Sequence, residues 1–533
     1  MKNLCLLLML TAFASSASAQ LAVVKRTDIE INRKDGDNYK ILTLQDNGLL
    51  VFLESDEYVK GGKKQLIITK YDTALQTTWT RTVTMEYSSH LGLHTQDGEF
   101  IYFLIPQEEK KYDILKIHLN SGILSLIKYE KLAELDITHF VASEDVLLFG
   151  GMVDSRPVVI HYDYVNSKAK VLPTVNTLKA NINRLEICQS DRSIFILFTP
   201  TTNKKKERFF YMTFDISGKL ISNIAVPYEK NAEGDTETED ILFTFQPYLI
   251  SSNEFYLFGM YSLLAKDKAQ GIYVMHILNN QQPEPTRFYD FVYFKNFFNH
   301  LGKRKEKIIN KIKEERQEGN IYKHDYSILA RELKVVDDKI IFIADSYTPL
   351  YREGMNQFSS LNTGLLRYTD ISLRNMMYAN DLMRSPMTRG VIGYRYKHGM
   401  VCAFDKKGKL LWDNSLEYKD LETMTSLQPQ IQISTGKDSL TMVYMNDQKI
   451  YYKRTDKSLP VEEIREVEIP SKEEADKTLN DREKELVTAW YGDYFLMYGI
   501  QQYRGGANGN SRKVFYLSKL AYFPPKIEEK KAD

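Results

Sequence analysis

Cysteine is almost missing from this chain: three in 533 residues, with Cys5 close to the start and only Cys188 and Cys402 beyond it. Two cysteines cannot build a disulfide framework. They fall in non-adjacent sequence units, which predicts two buried free thiols. An excess of charge of either sign is also lacking, with 71 basic against 70 acidic residues, and a chain without a basic bias is a poor partner for nucleic acid. No stretch beyond the N-terminus approaches the ~20 apolar residues a membrane-spanning helix needs, so membrane contact is expected to be peripheral at most. Catalytic signatures are missing too. There is no Gly-x-Ser-x-Gly elbow and no His-Glu-x-x-His pair, although paired glycosidase carboxylates have no fixed spacing and stay open. His90 and His94 in "HLGLH" share a face without a cysteine or carboxylate at ligand spacing. "EGDTETED" (Glu233 to Asp240) lacks the glycine position of a calcium loop, and "YRGGANGNSRK" (Tyr503 to Lys513) lacks the Gly-Lys-Ser/Thr ending of a P-loop. No metal, no cofactor and no catalytic residue is expected.

What is present begins with "MKNLCLLLMLTAFASSASAQ": Lys2, an apolar run from Leu4 to Phe13, and small residues at Ala17 and Ala19 before Gln20. That order predicts a signal peptide over residues 1–19, cut after Ala19. Cys5 lies too early in the apolar run to become a lipid-modified first residue. The expected location is exported, in a periplasm or in the extracellular space.

From residue 20 to 523 the chain repeats itself. "YKILTLQDNGLLVFLES", "KQLIITKYD" and "TTWTRTVTM" read as successive strands, and the same order returns at "LGLHTQDGEFIYFLIPQ", at "ITHFVASEDVLLFGGM" and at "RLEICQSDRSIFILFTP". Units of this kind are what a four-stranded propeller blade gives, at ~40–50 residues each. Four further units follow, the last without an outer strand, which "LAVVKRTDIEI" at the N-terminus can supply. The prediction is an all-β fold, a single β-propeller of eight blades closed by its N-terminal strand, with seven blades or two smaller propellers as alternatives. Closure removes sheet edges that would otherwise recruit other chains. Insertions are expected at 296–322, where the composition favours a helix, and at 350–390, and a disordered tail at 524–533.

The units share a hairpin. "FDKKGKLLW" (Phe404 to Trp412), "FDISGKLIS" (Phe214 to Ser222) and "YDTALQTTW" (Tyr71 to Trp79) each place an Asp where a third strand ends. Gly408 and Gly218 then supply the positive φ of a tight turn. The longer phrase "CAFDKKGKLLWDN" resembles the repeat of pyrroloquinoline-quinone-type propellers. The resemblance implies a fold superfamily of exported proteins, some quinone-dependent dehydrogenases and others cofactor-free scaffolds of the cell envelope. The adjacent cysteine pair of the dehydrogenases is absent here.

Two segments stand out as candidate sites. "KNFFNHLGKRKEKIINKIKEERQEGN" (Lys295 to Asn320) can form a helix with Phe297, Leu301, Ile308, Ile309 and Ile312 on one stripe and Lys303, Arg304, Lys307 and Lys311 elsewhere. The 350–390 insertion carries Met376, Met377 and Tyr378, flexible thioethers beside an aromatic ring, as on adaptable binding surfaces. The functional expectation is a non-enzymatic scaffold binding an envelope or outer-membrane protein through these residues. The alternative is a glycan- or peptide-binding or hydrolysing propeller that uses its central funnel.

Overall fold

In the computed structural model the described residues are 20–31, 38–55, 58–107, 111–130, 134–174, 180–200, 209–226, 241–263, 268–320, 322, 327–331, 333–351, 391–424, 427–436, 439–455, 464–468, 482–503 and 512–523. The expected signal peptide (1–19), the body of the Met-rich insertion (352–390) and the tail (524–533) lie outside them.

Each sequence unit folds as an antiparallel sheet whose strands lie side by side in chain order: blade 1 at 39–86, blade 2 at 94–130, blade 3 at 136–171, blade 4 at 180–225, blade 5 at 241–290, blade 6 at 327–423, blade 7 at 432–468 and blade 8 at 482–523. Blade 6 adds the short strands Lys334–Val336 and Glu422–Thr423.

The second strand of each blade explains why sheets stack into a ring. In the strand Phe100–Pro106 the residues Ile101, Phe103 and Ile105 join the core shared with blade 1, while Tyr102 and Leu104 join the core shared with blade 3. Side chains alternate across a strand, so a run apolar at every position must be covered on both faces. The same division holds around the molecule, giving eight cores, each shared by two consecutive blades. The eighth joins the ends: Leu496, Tyr498 and Phe515 of blade 8 pack with Tyr39, Ile41 and Val51 of blade 1. The sheets therefore form one closed eight-bladed β-propeller.

The strand Gln20–Glu30 completes blade 8 by running antiparallel to Arg512–Phe523, from Gln20 opposite Phe523 to Glu30 opposite Val514, with one register shift between Val23 and Lys25. Leu21 enters the core of blades 7 and 8. Arg26 fastens the strand, donating to Asp28 (2.7 Å), Gln501 (2.6 Å) and the Tyr503 hydroxyl (2.9 Å) while its guanidinium lies 4.3 Å over the Tyr516 ring.

The repeated hairpin has one geometry in all three copies. Asp405 Oδ1 accepts the backbone N–H groups of Lys407 (2.9 Å) and Lys409 (2.8 Å), and Gly408 turns the chain at φ +73°. Asp215 and Gly218 repeat the arrangement. The copy without a glycine solves the problem differently: Asp72 accepts from Ala74 and Gln76, and Leu75 itself adopts φ +57°. Leu75 is fully packed in the core of blades 8 and 1, which offsets the ~1–2 kcal/mol that this conformation costs a side-chain-bearing residue. Trp79 then ties blade 1 to blade 2, its indole N–H donating to Leu119 O at 3.1 Å. Trp490 does the same across the ring closure, donating to Gly48 O at 2.9 Å.

Strands alternate in direction, so the hairpins joining first to second and third to fourth strands lie on one face of the ring. The turns between second and third strands, and the crossovers from blade to blade, lie on the other. That crossover face carries the insertion between blades 5 and 6. Its helix, α1, is Lys305–Gln317, shorter than the expected 295–320. Gly302, at φ 51° and ψ −125°, breaks the helical path, and the preceding residues form 3-10 turns at Phe291–Tyr293 and Asn299–Arg304. Phe291, Phe294, Phe297 and Phe298 use that irregular backbone to enter the core of blades 5 and 6. Cys188 and Cys402 are free and buried, as the sequence suggested.

Candidate functional site

The root of the insertion is fixed by a buried carboxylate. Asp413, on the outer strand Leu410–Glu417 of blade 6, accepts the backbone N–H groups of Lys295 (3.0 Å) and Asn296 (2.7 Å), while Asn296 Nδ2 donates back to Asp413 O at 2.7 Å. Ser415 Oγ adds a bond to Asn296 O at 2.7 Å. Burial raises the Asp413 carboxyl above its usual range, against the pull of the two N–H donors and of Lys305 and Lys295. Further along, the His300 ring stacks on His398 with centroids 4.2 Å apart. Burial pushes His300 down to about 4, opposed by its bond to the Phe297 carbonyl, so the ring is neutral at physiological pH.

Helix α1 packs the stripe read from the sequence. Ile312 is fully buried, and Leu301, Ile308 and Ile309 are partly buried against the core of blades 5 and 6. Arg316 closes the far end on Asp290 at 2.5 Å. Lys303, Arg304, Lys307 and Lys311 all stay exposed. Among the described residues the first three make no ion pair, and Lys311 has only the Tyr322 ring, 5.8 Å from its Nζ. Lys303, Arg304 and Lys307 lie at the positive end of the helix dipole, where Glu306 is the one acidic side chain of the first turn. The structure thus places the four basic candidates on or just before the helix. Met376, Met377 and Tyr378 lie outside the described residues.

The crossover face also holds a cavity of about 320 Å³ that the sequence analysis missed. Its walls come from the crossover between blades 6 and 7, the tight turn Asp447-Gln448, and the inner strand of blade 8. The one signal available was "QPQIQ", in which Gln428, Gln430 and Gln432 alternate with Pro429 and Ile431. In an extended chain such alternation turns three carboxamides to one side. All three line the cavity, and Ile431 points the other way into the core of blades 6 and 7.

Asp345, fully buried on the second strand of blade 6, holds this wall in place. Its carboxylate accepts from the Tyr418 hydroxyl, from Ile431 N at 3.1 Å and from Gln430 N at 3.1 Å. Burial raises its carboxyl above the usual range, and the Tyr418 bond, the Arg331 charge and the two N–H donors resist.

Beside it, Ser346 Oγ lies 2.8 Å from His398 Nδ1, a pairing that superficially suits a nucleophile. The same oxygen also donates to His398 O and accepts from His398 N, both at 3.1 Å, and both residues are sealed from solvent. This contact locks two neighbouring strands together. Among the described residues no group of three or more His, Cys, Asp or Glu side chains is placed to hold a metal ion. His94 stacks on Phe103 with centroids 5.5 Å apart.

No protein-family model matches the chain, and no curated protein matches it in sequence. Solved structures match distantly in shape, two of them described as propellers. The chain is similar to the Dos1 propeller at 11% identity and a TM-score of 0.39, over 96% of each chain. It is similar to the polysaccharide lyase Uly1 at 8% identity and 0.39, over 94% of this chain and 99% of that one. The β-propeller domain of the Trilobed protease from Pyrococcus furiosus matches at 9% and 0.33, over 80% and 95%. Against a prolyl endopeptidase, at 9% identity and a TM-score of 0.37, the match covers 81% of this chain and spans half the length, 50%, of that one. Likenesses this distant bring no activity with them. The propeller assignment rests on the eight sheets and the cores they share.

Proposed function

We propose that this protein is an exported, non-enzymatic propeller scaffold of the bacterial cell envelope, which docks an acidic surface of a protein partner against its crossover face. The observation that carries this reading is the division of labour within the insertion: it packs its apolar stripe against the core of blades 5 and 6 and still leaves Lys303, Arg304, Lys307 and Lys311 exposed. Exposed like charges within a Debye length of ~8 Å repel one another, and an acidic partner relieves that repulsion and is steered toward it. Export rests on the character of residues 1–19. Met376, Met377 and Tyr378 are proposed to extend the contact. Glycan binding is a second reading, favoured by the cavity on the crossover face.

The test replaces Lys303, Arg304, Lys307 and Lys311 by Glu and compares crosslinked partners by mass spectrometry in cells. One envelope protein should be captured by the native chain through residues 296–322 and lost in the variant, with an unchanged melting curve, because the replaced side chains carry no packing. With the purified partner the association rate should fall at least about tenfold. Equal capture by both proteins, or no specific capture by either, contradicts the reading.

A further inference from the structure

The cavity between blades 6, 7 and 8 has a chemistry of its own, independent of the basic helix. Five carboxamides line it, from Gln428, Gln430, Gln432, Asn446 and Gln448, together with the carboxylates of Glu422, Asp447 and Glu485. Part of their hydrogen-bonding capacity is spent internally. Gln430 Nε2 donates to Gln428 O at 3.1 Å, Gln432 Oε1 accepts from Ala489 N at 3.2 Å, and Asn446 Nδ2 donates to Lys419 O at 2.9 Å. These bonds fix three side chains and leave Gln430 Oε1, Gln432 Nε2 and Asn446 Oδ1 for a ligand. The side chains of Gln428 and Gln448 make no hydrogen bond among the described residues, so each retains a donor and an acceptor.

Three further facts narrow the ligand. No lysine or arginine lines the cavity, whereas three carboxylates do: Glu422, which pairs with Arg395, Asp447 in the tight turn, and Glu485, which accepts from the Tyr516 hydroxyl. An anionic ligand would meet no counter-charge there. The main chain of the wall is already committed: Gln428 N donates to the Tyr396 hydroxyl at 3.0 Å, Pro429 has no N–H, and Gln430 N and Ile431 N belong to Asp345. Along this wall a peptide therefore finds no free main-chain N–H, and recognition there falls to side-chain amides. Each free carboxamide pairs a donor with an acceptor, which matches groups that themselves both donate and accept, namely neighbouring hydroxyls. The volume, about 320 Å³, is at the small end of the ~300–1,000 Å³ of ligand sites.

We infer that this cavity is a binding site for a neutral, polyhydroxylated ligand, a saccharide of one or two rings. Gln428 and Gln448 supply the adaptable contacts at the mouth, and Gln430, Gln432 and Asn446 the fixed ones. Asp345 is a positioning residue, because it orders the wall from behind without reaching the ligand.

The test titrates the full chain by calorimetry with glucose, galactose, N-acetylglucosamine, cellobiose, lactose and chitobiose. Glucuronic acid serves as the anionic probe and triglycine as the peptide probe. At least one neutral sugar should saturate with a Kd of about 1 mM or tighter, and the anion should not bind. A Gln428→Ala/Gln448→Ala double variant, whose changes remove no internal bond, should melt like the native protein and bind that sugar at least about tenfold more weakly. Three results overturn the inference: no sugar saturating by about 10 mM, binding unchanged in the double variant, or triglycine or glucuronic acid binding in place of the sugars.

Discussion

Removing residues 20–30 should cost this protein its cooperative unfolding transition or lower its thermal midpoint by roughly 10 °C or more, read by differential scanning calorimetry against the chain beginning at Gln20. Three losses combine. Leu21 leaves the core of blades 7 and 8, the Arg26 bonds to Gln501 and Tyr503 disappear, and the strand Arg512–Phe523 becomes an open edge. A strand edge of that length is a template for other chains, so the shortened protein should also aggregate on heating at lower concentration than the native one. A midpoint within about 2 °C of the native value would mean that the ring holds without its closing strand.

The Asp345→Ala substitution should destabilise the native state by about 4 kcal/mol, measured as a shift in the denaturant midpoint at constant slope. The figure follows from three donors stranded at once inside the protein: the Tyr418 hydroxyl, Gln430 N and Ile431 N. Each buried donor without an acceptor costs ~1–3 kcal/mol. Asp345→Asn keeps the volume but turns one acceptor oxygen into a donor facing a donor, so a loss of about half that size is expected. Because Gln430 and Ile431 belong to the cavity wall, both variants should also weaken any ligand bound there. An alanine variant as stable as the native protein would show that the wall is held by packing alone.

The fold could be read from the sequence because its determinants are local and repeated. Apolar runs such as "FIYFLIP" require cover on both faces, Asp-x-x-Gly marks the hairpins, and "LAVVKRTDIEI" supplies the strand that the last unit lacks. The packed stripe of the helix was equally visible, since Ile308, Ile309 and Ile312 follow helical spacing. Its start was not. Gly302 is followed by a run of strong helix formers, and it takes a positive φ just after four phenylalanines that enter the core. Leu75 hid a turn for the opposite reason, because tertiary packing holds a leucine where the sequence rule expects glycine. The cavity was illegible for a topological reason. Gln430 and Glu485 come from different blades, and the wall between them is ordered by Asp345, 85 residues before Gln430. No local pattern could join those three positions. Of the seven candidate site residues, the four basic ones are exposed on or just before the helix, and the three in the Met-rich insertion lie outside the described residues.

The closed ring depends on contact between residues nearly five hundred positions apart. Ala22 faces Ala521 across the antiparallel pair that closes the ring. Opposed residues in such a pair have Cα atoms ~4.5–5.5 Å apart, within the range a disulfide spans. The decisive measurement is oxidation of an Ala22→Cys/Ala521→Cys variant under native conditions, with the linked peptides identified by mass spectrometry. The closed ring predicts near-complete linkage within single molecules when folded, and little when the chain is unfolded in denaturant before oxidation. Free thiols at both introduced positions of the folded monomer, beside those of Cys188 and Cys402, would contradict it, and with it the eight-bladed ring on which the helix and the cavity are displayed.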